Sequence, residues 1–171
     1  ITTTKSRISW LIVNLMTAVV ASIVIGLFEA AIEKVVALAI LMPIVASMGA
    51  NAGTQTLTVA VRAIAVKELT TSNALKIITK ETFIGGINGM IFAIIISLIS
   101  VYWFENFMLG LIIGIAMISN LILAGFAGIV IPLFLDKLRV DPALASAVIL
   151  TTITDVFGFL SFLGLATLFL I

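Results

Sequence analysis

Five apolar runs, each long enough to cross a lipid bilayer as a helix, follow one another through the chain at about 8–28, 35–65, 75–104, 107–135 and 142–171. About 20 consecutive apolar residues span the roughly 30 Å of hydrocarbon in a bilayer, and a backbone in that solvent must satisfy its own N–H and C=O groups. The expected fold is therefore an all-α integral membrane protein with five transmembrane helices in one domain covering residues 1–171. Composition agrees: 63% of residues are apolar and 10% charged, against about 45–50% and about 25% in soluble domains. The first run is too long for a removable signal peptide, and four more follow it.

The spans alternate in direction, so the connecting charges sort to two ends. Lys5 and Arg7 precede the first span, Arg62, Lys67, Lys76 and Lys80 surround the second connection, and Lys137 and Arg139 lie in the fourth. The remaining connections hold Glu29, Glu33 and Glu105, with Lys34 as their one basic residue. The positive-inside rule then expects a cytoplasmic N-terminus and an external C-terminus in a multi-pass cell-membrane protein. The connection 67–80 is the most polar, and part of it is expected to form helix at the interface. No nucleic-acid partner is expected.

Cys and His are absent. Thiolate and imidazole metal sites, disulfides and Ser-His or Cys-His catalysis go with them, and an enzyme is not expected.

Asp155 is the anomaly. It lies 13 residues after Pro142 and 16 before Ile171, about 20 Å from either end of its span at about 1.5 Å per residue. An acid at that depth costs at least about 2.5–3.5 kcal/mol on insertion scales, and Asp is too short to reach the interface. No Lys or Arg occurs at comparable depth. Water, a metal ion or a carried proton remains as its partner; the plainer alternative is a protonated Asp155 bonded to Thr151 and serving packing alone. Thr151, Thr152 and Thr154 make its surroundings polar, and Gly158 leaves space one turn on.

A second constellation follows Pro43 in the second span, the longest and least regular of the five by sequence: Gly49, Ala50, Asn51, Ala52, Gly53, Thr54 and Gln55. Gly49 and Gly53 form a small-xxx-small pair suited to close helix packing. The same glycines would also let backbone carbonyls face an ion, and Asn51 and Gln55 share one helical face. Asn120 in the fourth span is a third buried amide, expected to join helices. The other paired glycines, Gly85, Gly86 and Gly89, Gly110 and Gly114, Gly125 and Gly128, are expected at packing contacts. Asp141-Pro142 has the form of a helix start, and Pro132 is expected to bend the fourth span.

Hard oxygen ligands favour Mg²⁺, Ca²⁺, Mn²⁺ or alkali ions. One carboxylate is too little for Ca²⁺, whereas Mg²⁺ keeps several waters and is held through one or two carboxylates. Two copies of Asp155 about a two-fold axis would match one divalent charge, so a homodimer with a central pore is expected. Glu29 is positioned to gather cations at an outer mouth.

The run from Pro43 to Gln55, the opening Arg7-Ile-Ser-Trp-Leu-Ile-Val-Asn14, Asp141-Pro-Ala-Leu-Ala and Thr151-Thr-Ile-Thr-Asp-Val-Phe-Gly158 together resemble the membrane domain of the MgtE family of Mg²⁺ channels. The resemblance runs nearly end to end. It implies a homodimer whose second and fifth helices line the pore, Asp155 binding Mg²⁺, Asn51 facing the path and the Thr151 carbonyl receiving an ion-bound water. Gly49, Ala50, Gly53, Gln55, Thr152, Thr154 and Glu29 would complete the pathway. Ala50 stands where the family has a second glycine, which would tighten packing or narrow the path. It further implies passage of hydrated Mg²⁺, with Mn²⁺, Co²⁺ or Ca²⁺ as further ions. A cation-coupled exchanger and a non-transporting structural subunit are the alternatives. The family's cytoplasmic N-terminal and CBS domains are absent from these residues, so pore closure by internal Mg²⁺ is not expected of them.

Overall fold

Every long apolar run is one helix in the computed structural model, which describes residues 2–171, with side chains from residue 4 onward. The elements are α1 (Thr2–Gly26), α2 (Glu29–Lys34), α3 (Ala37–Ala65), α4 (Ala74–Phe104), α5 (Phe107–Lys137) and α6 (Pro142–Phe169). All but α2 are long and apolar enough to cross a membrane. No strand occurs among the described residues, and the chain is an all-helical, multi-pass membrane protein.

Local chemistry sets several boundaries. Asp141 accepts a hydrogen bond from the Ala143 N–H at 3.0 Å, and Pro142 opens α6, so the expected helix start is present. Asn106 caps α5 in the same way, accepting from Leu109 N–H at 3.0 Å. Glu105, which ends α4, adopts a left-handed backbone with φ 52°, allowing the sharp turn into α5.

Three features differ from expectation. Residues 29–34 form the short helix α2, with Glu29 in its first turn and Lys34 in its last, an arrangement that complements the helix dipole. The connection after α3 is shorter than the sequence implied, because Lys76 and Lys80 belong to the opening turns of α4. No separate interfacial helix intervenes: the turn between α3 and α4 is held by buried Leu69, packed with Ala60 and Ile129. Nor is α3 the longest or least regular span; it is 29 residues of unbroken helix with Pro43 inside it, while α4 and α5 have 31 each. Pro43 lies in the second turn, where the missing N–H leaves only one early carbonyl without its partner.

Helix α5 is the central pillar. It packs against α3, α4 and α6, while α1 rests chiefly on α6. Small residues allow these approaches. A Cβ at Gly89 would come within 3.0 Å of the Ile118 Cα, and one at Gly128 within 3.0 Å of the Gly53 carbonyl oxygen. Ser97 adds a bond from α4, donating to the Gly110 carbonyl at 2.7 Å. The main cluster joins Leu38, Leu41 and Val45 of α3 to Ile113, Met117 and Leu121 of α5 and Phe162 and Leu163 of α6.

Candidate ion pathway

Helices α3 and α6 run antiparallel, and their register can be read from two contacts. Gly158 faces Val45, whose Cγ1 would lie 3.4 Å from a Cβ there, and Gly53 faces Leu150, whose Cδ1 would lie 3.1 Å away. Interpolating between these contacts puts Asp155 level with Met48 and Asn51 level with Thr152. Asp155 and Asn51 are thus separated by about three residues of height, or about 4.5 Å along the axes.

Asp155 lies 13 residues after Pro142 and 14 before Phe169, at the middle of α6. Within one chain it is half-buried rather than enclosed. The surrounding hydroxyls turn to their own helix. Thr151 Oγ1 donates to the Ala147 carbonyl at 2.9 Å, Thr152 Oγ1 to Val148 at 2.7 Å, and Thr154 Oγ1 to Leu150 at 3.1 Å. Thr151 therefore spends its proton one turn back rather than on Asp155, and the packing bond considered for that pair is not made.

The open face of α3 carries Ser47, Asn51, Thr54, Gln55 and Thr58, all exposed. Asn51 has one long contact, donating to Ser47 Oγ at 3.4 Å, while Thr54 and Thr58 donate to carbonyls one turn back at 2.7 and 2.8 Å. Amides left this open at membrane depth require water, an ion or another protein surface. Thr151 and Thr152, both half-buried, lie near this level on α6.

Other expected pathway residues lie elsewhere. Gly49, Gly53 and Thr154 are buried inside the chain. Gly49 abuts Asn120, with a Cβ there 2.9 Å from the amide carbon, and Gly53 abuts Leu150. Their position is that of helix packing, because Gly49 and Gly53 each lie two places from Asn51, about 200° around the helix. Ala50 is half-buried beside them, and Glu29 is exposed at the start of α2, at the bundle end away from the basic residues.

Asn120 joins the helices as expected. It is fully buried and donates from Nδ2 to the Val45 carbonyl at 3.0 Å, while Gly49 and Gly158 both press against its amide. A groove of about 680 Å³ between α4 and α5 is lined by residues such as Phe83, Ile87, Met90 and Ile122 and suits hydrocarbon rather than an ion. Gln55 opens into a smaller crevice shared with Glu81 and Asn88 of α4. Neither α4 residue stood out in the sequence, although their seven-residue spacing places both on one helical face.

Comparison with known proteins decides the family. A family model described as a divalent cation transporter, MgtE, matches residues 42–165. The chain belongs to the MgtE family. It is 35% identical over 164 residues to the magnesium transporter MgtE of Bacillus subtilis, covering 96% of this chain and 36% of that protein. Against the proteins of the same name from Enterococcus faecalis and Thermus thermophilus, identity is 33% and 32%, covering 97% and 96% of this chain and 37% and 36% of theirs. The chain thus spans a little over a third of the length of these MgtE relatives. The family is one of transporters rather than enzymes, the class that the residue inventory led to.

Proposed function

We propose that two copies of this chain enclose a path for Mg²⁺, lined by α3 and α6, along which the ion passes into the cytoplasm as a hydrated cation. The observation that carries this is the placement of Asp155 at mid-span, half-buried and level with the open polar face of α3 that presents Asn51. No basic residue in the spans lies near enough in depth to neutralise it. Among the described residues no three acids gather in a way that could hold a metal ion. A divalent ion at Asp155 would therefore draw its second negative charge from the second copy, a homodimer being the commonest symmetric assembly.

Each residue has a distinct task. Asp155 supplies charge, accepting hydrogen bonds from ion-bound water; the Asn51 amide oxygen accepts from the same water shell. The Thr151 carbonyl lies one turn from Asp155 toward the basic end and accepts a further water. Thr152 keeps that flank polar. Gly49, Gly53 and Thr154 act from behind: Gly49 makes room for the Asn120 amide of α5, Gly53 for Leu150 of α6, and Thr154 is buried in the packing. The basic end of the bundle faces the cytoplasm by the positive-inside rule, and Glu29 lies at the outer entrance.

Retained water explains a preference for Mg²⁺, which dehydrates reluctantly, with Mn²⁺ and Co²⁺ as close competitors and Ca²⁺ demanding more ligands. Asp155→Asn keeps shape and removes charge. In proteoliposomes loaded with a Mg²⁺ indicator, flux is expected to fall to background in that variant; flux at the unsubstituted rate would overturn the assignment. Current that follows voltage with no counter-ion identifies a channel, and an obligatory counter-ion identifies an exchanger. Absence of any flux from correctly folded chain identifies a structural subunit.

A further inference from the structure

Besides Asp155, and Asp136 in the last turn of α5, one acid lies within a membrane-crossing helix, Glu81. It begins the third turn of α4, about 10 Å along the axis from Ala74 at about 1.5 Å per residue. Its surroundings form a crevice of about 160 Å³ between α3, α4 and α5, in which Gln55, Thr56, Glu81 and Asn88 are the polar lining. No Lys or Arg lines it. The walls are held by close helix approach: a Cβ at Gly125 would come within 3.4 Å of the Thr82 Cα and 3.2 Å of the Glu81 carbonyl carbon. The backbone carrying the carboxylate is thereby fixed against α5.

The crevice takes residues 52 to 59 from α3 and 81 to 88 from α4, and the two helices run antiparallel. Glu81 faces Gly125 of α5, and Gly128, one turn on, faces Gly53 and Thr56 of α3, so Glu81 lies near the level of Gly53. With Asp155 level with Met48, Glu81 is about five residues lower, or about 7 Å toward the basic end. Gln55 belongs both to the open polar face of α3 and to the crevice, so it links the two.

The geometry points to a second divalent-cation station in this crevice, in which the Glu81 carboxylate supplies the charge and Gln55, Thr56 and Asn88 supply neutral oxygen donors. Carboxylate, amide and hydroxyl oxygens are hard ligands suited to Mg²⁺-sized ions rather than to softer metals. The space holds about five waters at about 30 Å³ each, enough for an ion that retains most of its shell. The station deepens the proposed function, since it would receive cations after Asp155 on the way to the basic end. Binding there does not depend on Asp155, so the two assignments fail separately.

Purified full chain in lipid nanodiscs, titrated with Mn²⁺ while free Mn²⁺ is counted by electron paramagnetic resonance, tests it. Glu81→Gln is expected to bind one ion fewer per chain than the unsubstituted protein, and Glu81→Asp to retain that ion with weaker affinity. Asp155→Asn is expected to keep the Glu81 ion. If Glu81→Gln does not fold, Asn88→Leu serves in its place, with severalfold weaker binding expected of the same class of site. An unchanged isotherm in whichever variant folds overturns the station. Loss of the ion in Glu81→Gln together with normal flux in Asp155→Asn would leave the station standing and remove the Asp155 assignment.

Discussion

Gly85 and Gly86 are neighbours on α4, yet alanine at the two positions is expected to act in opposite directions. In a helix interior alanine is favoured over glycine by about 0.8–1 kcal/mol. At Gly86 the added Cβ would meet Ile122 Cγ1 at 3.6 Å, an ordinary van der Waals contact, so most of that gain is kept. At Gly85 it would overlap the Leu121 carbonyl oxygen and lie 3.3 Å from the carbonyl carbon and 3.4 Å from the Ile122 Cα. Those atoms are backbone and cannot rotate aside; α4 and α5 must separate. Overpacking of this kind costs about 1–3 kcal/mol or more, which outweighs the propensity gain and leaves a net loss of up to about 2 kcal/mol. The two variants should then differ by up to about 3 kcal/mol. At about 2–4 °C per kcal/mol for a chain of this size, that is a gap of as much as roughly 10 °C in apparent melting temperature. Trp10 and Trp103 report unfolding in detergent by intrinsic fluorescence. Equal midpoints, or Gly86→Ala below Gly85→Ala, would refute the α4–α5 register.

Two further outcomes follow from contacts elsewhere. Gly158→Ala would bring a Cβ within 2.9 Å of Asn120 Nδ2, so Asn120→Ala should relieve part of its effect; a double-mutant cycle by denaturant titration is expected to give a coupling of about 1 kcal/mol, and strict additivity would separate the two residues. Asp141→Ala removes the cap of α6 and should lower stability by about 1 kcal/mol in the same titration, with Asp141→Ser recovering most of it.

The spans were legible because hydrocarbon imposes a length and because charge collects at helix ends. Asp141-Pro142 was legible for a local reason, a side-chain oxygen beside a residue without an N–H. Faces were not. Along α5 nearly every residue is apolar, and lipid and protein interior select the same side chains, so no periodic contrast separates them. That is why Gly49 and Gly53 were grouped with Asn51 although they point into the bundle. It also explains Glu81, which sits beside Lys80 at the start of a span and has the look of a boundary charge until α3 is placed opposite it. The short helix α2 was hidden because residues 29–34 are too few to show a period.

The junction at Asn120 also bears on how the protein is assembled. Chains enter the membrane from the N-terminus, so α3 and α4 are present when α5 arrives, and the Asn120 amide can find the Val45 carbonyl before α6 exists. The hollow that receives Gly158 is then already shaped by Val45 and Asn120. Helix α6, with its mid-span acid, is the last of the five to be made. It meets a prepared seat rather than bare hydrocarbon, so the time Asp155 spends without protein beside it is set by how soon that seat is complete.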